Sequence, residues 1–270
     1  MRGHGPRIAI IWFVATVIVE ILLIIAPIPM GSGSARAAGI NQTILMLFYV
    51  GAPIFVFVWV MLLYNVIVFR ARGRETAEPV PRPDSNPILF LWAALSFTIV
   101  IFLAGWGTFT LHEVSEPNGH PLLHIQVIGQ QWFWSYRYPS YGGMETRKLY
   151  VPINTPIEFD ITSLDVTHSF WLYRWDIKED AVPGVHTIAY ADIHQIARIN
   201  AVCNELCGLY HGYMHGPVRS VSKTDFVSWA KKTEAFEKRT GFLKYLPKFS
   251  YVYYPSSNSF TPPPPQDQSP

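Results

Sequence analysis

Cys203, Glu205, Cys207, His211 and Met214 bring two thiols, a carboxylate, an imidazole and a thioether into twelve consecutive residues, spaced Cys-x3-Cys-x3-His-x2-Met. Thiolate and thioether are soft donors and imidazole is borderline, a set that suits copper far better than magnesium or calcium, which take oxygen. These are the chain's only two cysteines, so a disulfide is a competing use for them, above all in an oxidising compartment. A disulfide has no need of a His and a Met beside it, and Gly208 and Gly212 mark a folded-back loop, not a regular helix. Zinc held by two Cys and a His is the second competitor. Zinc rarely recruits Met, and the sequence holds no CxxC. Copper leads.

A loop of this kind needs a compartment and a rigid frame. Half of the 270 residues are hydrophobic, which directs attention to membrane segments. Three apolar runs are long enough, at 8–28, 44–69 and 88–111. The first follows Arg2 and Arg7 and contains Glu20, which must face another helix or water and not lipid. It is either a retained span or a signal peptide, because Ala35-Arg36-Ala37 is an A-x-A site, although the run exceeds the usual signal core. Residues 70–87 hold four Arg and 31–43 only Arg36. By the positive-inside rule the 70–87 loop is cytoplasmic and everything after residue 112 lies on the outer face.

From His112 to Trp229 the pattern changes to alternation, as in Leu123-His124-Ile125-Gln126-Val127 and Ile157-Glu158-Phe159-Asp160-Ile161, with short runs divided by Pro, Gly, Asn and Asp. That is a small all-β domain, either a Greek-key sandwich or a barrel. Residues 224–238 carry Phe226, Trp229, Ala230 and Phe236 at helical spacing and predict a short amphipathic helix, followed by a low-complexity tail with Pro262 to Pro265. The expected organisation is therefore an N-terminal apolar segment (1–39), a helical hairpin in the membrane (40–111), an extracytoplasmic β-domain (112–230) and an extension (231–270). A net charge of +2, with no basic cluster among aromatics, excludes nucleic acid as a partner class.

The loop resembles the dinuclear copper A loop of the cytochrome c oxidase subunit 2 family, C-x-E-x-C-x3-H-x2-M, at every ligand position. Asp165-Val166-Thr167-His168-Ser169-Phe170 is similar to that family's D-V-x-H-S-[FW] motif, and Gln131-Trp132-Phe133-Trp134-Ser135-Tyr136 and Asp180-Ala181-Val182-Pro183-Gly184 extend the likeness. It runs from about residue 40 to 222. The resemblance implies two or three membrane helices followed by a cupredoxin-like Greek-key β-barrel. It implies that Cys203 and Cys207 bridge two copper ions, that His168 and His211 bind one each, that Met214 is a weak axial ligand and that the Glu205 carbonyl serves the other metal. Glu205's side chain is implied as a magnesium ligand at the interface with subunit 1, and Trp132 as the place where electrons arrive.

The resemblance further implies a subunit of a haem-copper terminal oxidase, an oxidoreductase that reduces oxygen to water at haem in subunit 1. This chain would be the relay for single electrons and not the oxygen-reducing site. Its expected partners are subunit 1, subunit 3, membrane lipid and a donor, either cytochrome c or a small copper protein. Its place is a bacterial, archaeal or mitochondrial inner membrane. Two other readings stand beside it: the copper A subunit of a membrane nitric oxide reductase, and a non-redox subunit with a Cys203–Cys207 disulfide. One departure concerns proton uptake. Many relatives carry a glutamate before the last membrane helix, where this chain has Pro83-Asp84-Ser85-Asn86-Pro87, and Asp84 between prolines suits a turn.

Overall fold

The computed structural model describes residues 3–26, 31–34, 36–70, 86–115 and 123–241. They divide into two compact units, one within Met1–Pro29 and Gly39–Glu113, the other within Met30–Ala38 and Val114–Pro270.

The first unit is helical. Helix α1 spans His4–Ile25, α2 Ala37–Val68 and α3 Asn86–Ser115, of 22, 32 and 30 residues. At 1.5 Å rise per residue each exceeds the ~20 residues that cross a bilayer core. Large apolar side chains such as Phe13, Phe55, Phe90 and Phe109 are exposed around them, a surface that lipid can solvate and water cannot. Several polar groups are paired inside the unit, as hydrocarbon favours. The Thr98 and Thr108 hydroxyls each donate to a carbonyl one turn back at 2.8 Å, and Trp12 Nε1 of α1 donates to the Pro53 carbonyl of α2, also at 2.8 Å. Helix α2 starts seven residues before the apolar run at 44, taking in Asn41, Gln42 and Thr43. Arg72, Arg74, Arg82 and Asp84 lie outside the described residues.

The second unit is a β-sandwich. Its strands are β1 (Leu123–Gln130), β2 (Phe133–Tyr138), β3 (Met144–Thr146), β4 (Leu149–Pro152), β5 (Pro156–Ser163), β6 (His168–Leu172), β7 (Ile177–Ala181), β8 (Thr187–Asp192), β9 (Ala197–Cys203) and β10 (His215–Val221). One sheet runs β3-β2-β1-β5-β8 and the other β4-β10-β9-β6-β7. Pairing is antiparallel except β1 with β5 and β4 with β10, so each sheet holds a crossover and the fold is the cupredoxin-like one that the resemblance implies. The alternating apolar residues meet between the sheets. Trp134, Tyr136, Tyr138, Phe159, Phe170 and Trp175 are fully buried there, each contributing on the order of 2 kcal/mol by burial alone.

Helix α4 (Lys223–Thr240) follows β10 without a break. Ser222 Oγ caps it by accepting from Asp225 N at 3.1 Å, and Gly241 ends it in the left-handed conformation. Phe226, Ala230 and Glu237 are buried, and Trp229 stacks on Tyr150 with ring centroids 4.2 Å apart. The helix thus continues across the expected division at residue 230 and packs on the sandwich as far as Glu237. The tail beyond Gly241 lies outside the described residues.

Residues 31–34 and 36–37 are a second addition to the sandwich, one without a periodic signal in the sequence. Ser32 and Gly33 donate their backbone N–H groups to the Arg174 carbonyl at 3.0 and 3.2 Å, and His194 N donates to the Gly33 carbonyl at 3.2 Å. Ser34 pairs with Ile193 as an isolated bridge, and its hydroxyl donates to the Trp175 carbonyl at 2.6 Å. A Cβ on Gly33 would stand 2.3 Å from the Trp175 ring, so only glycine fits. Arg36 donates to the Val114 carbonyl and lies over the Tyr190 ring. The segment is a strap laid against the sandwich.

Candidate metal centre

The centre sits where three elements end. His168 opens β6, Cys203 closes β9, and residues 204–214 form the connection to β10. Strand pairing fixes the base. Phe170 is opposite Cys203, and His215 is opposite Val202. Cys203 N donates to the Met214 carbonyl at 3.2 Å and Asn204 N to the Ser169 carbonyl at 3.0 Å, so both ends of the loop are tied to the second sheet. Within the loop Gly208 takes φ +119°, a region that side chains avoid, and a 3-10 turn at His211–Tyr213 returns the chain to Met214.

That path brings the donors together. His168 Nδ1, Cys203 Sγ and Cys207 Sγ lie within 4.8 Å of one another. His211 Nδ1 is 3.5 Å from Cys207 Sγ, Met214 Sδ is 3.8 Å from it, and the Glu205 carbonyl oxygen is 3.2 Å from Cys203 Sγ. The two sulfurs are 3.7 Å apart, far beyond the ~2.05 Å of a disulfide, and both cysteines are free. His168 and Met214 are fully buried, whereas the side chain of Glu205 is exposed and reaches no other donor of the group.

The tautomer of His168 follows from its other nitrogen. Nε2 donates to Asp165 Oδ1 at 2.8 Å, which leaves the Nδ1 lone pair facing Cys203 Sγ at 3.7 Å. Asp165 is both a turn former and the support of this ring. It accepts from the backbone N–H groups of Gln131 and Val166 at 2.7 Å each. Partial burial opposes its charge, but those N–H groups and His168 outweigh it and hold the carboxyl below its usual pKa. Burial works against a charged His168, and its contacts with Cys203 and Asp165 overcome it and raise its pKa. Burial likewise opposes ionisation of Cys203, yet His168 and the N–H and thiol groups around it bring it down to about 6. Cys207 goes the other way, pushed up to about 12 by burial and by the neighbouring Cys203. One thiol of the pair ionises readily and the second does not, so a cation is what would release both protons. The donors therefore fit a soft metal of positive charge.

Gly129 of β1 makes room for this arrangement, since a Cβ there would meet the His168 ring at 3.0 Å. Trp132 is half-buried beside the loop, its ring edge-on to Tyr210 with centroids 4.8 Å apart. Trp134, two residues on, packs inside on His168 and Phe170. His124, His186 and His194 are engaged elsewhere, with Glu158, Asp160 and Asn154, and His215 is exposed. Gln131 and Gly129 were not singled out in the sequence; the only sign of them is their place in and before the Gln-Trp-Phe-Trp-Ser-Tyr motif.

Fold and site together define a membrane-anchored cupredoxin-like domain with a cluster of soft donors that could hold a metal ion. The profile of the family "Cytochrome C oxidase subunit II, periplasmic domain" matches residues 144–221. The chain is 30% identical over 206 residues to the probable cytochrome c oxidase subunit 2 of Rickettsia bellii, covering 68% of this chain and 75% of that protein. It is 25% identical over 238 residues to cytochrome c oxidase subunit 2 of Thermostichus vulcanus, covering 69% and 72%. Among solved structures, the periplasmic domain of subunit II of cytochrome oxidase of Bradyrhizobium japonicum is 29% identical, with a TM-score of 0.42, covering 44% of this chain and 97% of that one. The chain belongs to the cytochrome c oxidase subunit 2 family. It is a subunit of a terminal oxidase, an oxidoreductase, and works beside subunit 1, anchored in a membrane with its β-domain outside the cytoplasm.

Proposed function

We propose that this chain holds the dinuclear copper A centre of its oxidase, bound by Cys203, Cys207, His168, His211, Met214 and the Glu205 carbonyl. The observation that carries the reading is the convergence of two unjoined sulfurs, two imidazole Nδ1 atoms, a thioether and a carbonyl at one end of one sheet. A copper pair held by these residues would supply an acceptor and donor of single electrons. The chain does the rest. Asp165 orients His168, the ties of Cys203 and Asn204 to Met214 and Ser169 hold the loop closed, and the buried Met214 and Phe170 keep water from the sulfurs. A site preorganised in this way needs little rearrangement for each electron.

Trp132, beside the loop on the outer side of Trp134, is where the donor's electron arrives, and subunit 1 receives it. The exposed carboxylate of Glu205 suits a magnesium ion completed by subunit 1. Subunit 3 and lipid complete the surroundings, in a bacterial, archaeal or mitochondrial inner membrane. The organisation is a membrane hairpin, a copper domain carrying α4, and a C-terminal extension. The strap belongs to the working chain, because its hydrogen bonds to Arg174, Trp175 and His194 would be lost on cutting after Ala37. Intact mass of the mature chain should therefore include Gly31; a chain beginning at Ala38 would refute this.

Residues 112–229 carry twelve carboxylates and eight Lys or Arg, a net of −4. This favours a basic donor of the cytochrome c kind. With the assembled oxidase, the second-order rate of reduction by ferrocytochrome c should fall roughly tenfold as ionic strength rises from about 0.01 to 0.15 M, over which the Debye length shrinks from ~30 to ~8 Å. A rate that stays flat or rises with salt would exclude that donor class.

A further inference from the structure

The hairpin between β1 and β2 is made by two residues, Gln131 and Trp132, and the first of them is bonded in two directions. Its backbone N–H donates to Asp165 Oδ2 at 2.7 Å, the carboxylate whose other oxygen accepts from His168. Its side-chain Nε2 donates to the carbonyl of Cys207 at 2.8 Å. His168 opens β6 of the second sheet and Cys207 lies in the loop after β9, whereas Gln131 belongs to a hairpin of the first sheet. The next residue of the loop is shaped for the contact. A Cβ on Gly208 would lie 3.0 Å from Gln131 Nε2 and 3.4 Å from the Trp132 ring, so the glycine allows the hairpin to close on the loop.

We infer that Gln131 is a positioning residue, a latch that fixes the Cys207 side of the loop against the Asp165–His168 pair. Only a side chain with a donor at this length does the work. Glutamate has the same shape but sets a carboxylate against the Cys207 carbonyl, and leucine fills the space without a donor. With the latch gone, the Cys207–Gly208 peptide loses its external tie, while the ties at Cys203 and Met214 remain. The loop should then open locally without loss of the sandwich. Where the loop holds copper, as proposed above, the metal should escape faster. Only that second consequence rests on the copper reading.

Hydrogen exchange of the copper-free full-length chain in detergent tests the latch by itself. Gln131→Glu and Gln131→Leu should each speed exchange of amides 208–214 roughly fivefold to tenfold, the effect of one lost hydrogen bond on a local opening, with 133–138 and 197–203 unchanged. Unchanged exchange in the loop would overturn the inference. So would acceleration spread over the strands, which would make Gln131 a general support of the fold. In the copper-loaded chain, release to a chelator should accelerate by a similar factor in both variants; an unchanged release rate would overturn the role toward the metal. Failure of the wild-type chain to take up copper would refute the copper centre, and the exchange result would still decide the latch.

Discussion

Replacing Cys207 by serine is expected to strip copper from the chain while leaving the sandwich folded. Cys207 Sγ lies 3.7 Å from Cys203 Sγ, 3.5 Å from His211 Nδ1 and 3.8 Å from Met214 Sδ, which places it at the middle of the donor set. A serine hydroxyl is a hard donor that does not give up its proton near neutrality, so the variant would lose a negative charge and a soft ligand together. Loss of a group that merely supports a ligand costs about 10–100-fold in metal affinity. Removal of a residue that would itself be a ligand should exceed that. The fold should tolerate the change, because Cys207 is in the loop and the large buried side chains lie between the sheets. Metal analysis after dialysis and far-ultraviolet circular dichroism read the two halves of the expectation. A Cys207→Ser chain that keeps its full copper would remove Cys207 from the centre.

Trp132→Ala should slow reduction by the donor and leave the copper content intact. Trp132 is half-buried against Tyr210 and Gly208, so part of its ring remains exposed beside the loop. Truncating a Trp at the centre of a docking site costs on the order of 2 kcal/mol or more, a fall of roughly 30-fold in the second-order rate at fixed donor concentration. No donor atom of the metal set comes from the residue, so copper per chain should equal that of the wild type. Stopped-flow reduction of the assembled oxidase measures the rate. An unaltered rate would place the electron's point of arrival elsewhere, and a rate lost in parallel with copper would make Trp132 a support of the loop.

The donor set was legible in the sequence because it is local. Cys203 to Met214 is one short loop, and its ligand types announce their chemistry without knowledge of any distant contact. The three apolar runs were legible for the same reason, since length and composition alone decide them. His168 could be joined to the loop only through the resemblance; nothing in its spacing states that β6 lies beside β9. What escaped notice depends on contacts across the fold. Gly129 matters only because the His168 ring passes over it, and Gln131 only because its two bonds reach Asp165 and Cys207. The strap escaped for a different reason. Gly31-Ser32-Gly33-Ser34 reads as a flexible connector, and its glycines prove to be small because Trp175 and Asp176 leave no room for a side chain. The amphipathic helix was legible at 224–238, close to the observed Lys223–Thr240, but the burial of Glu237, which accepts from the backbone N–H of Glu145, depends on that distant contact.

The direct test is the copper-to-chain ratio of the purified wild-type oxidase, corrected for copper in its partner subunits, taken together with the state of the two sulfurs by mass spectrometry under non-reducing conditions. Two copper ions per chain with Cys203 and Cys207 unjoined is the expected result. No copper on this chain, with the two cysteines linked to each other, would contradict it.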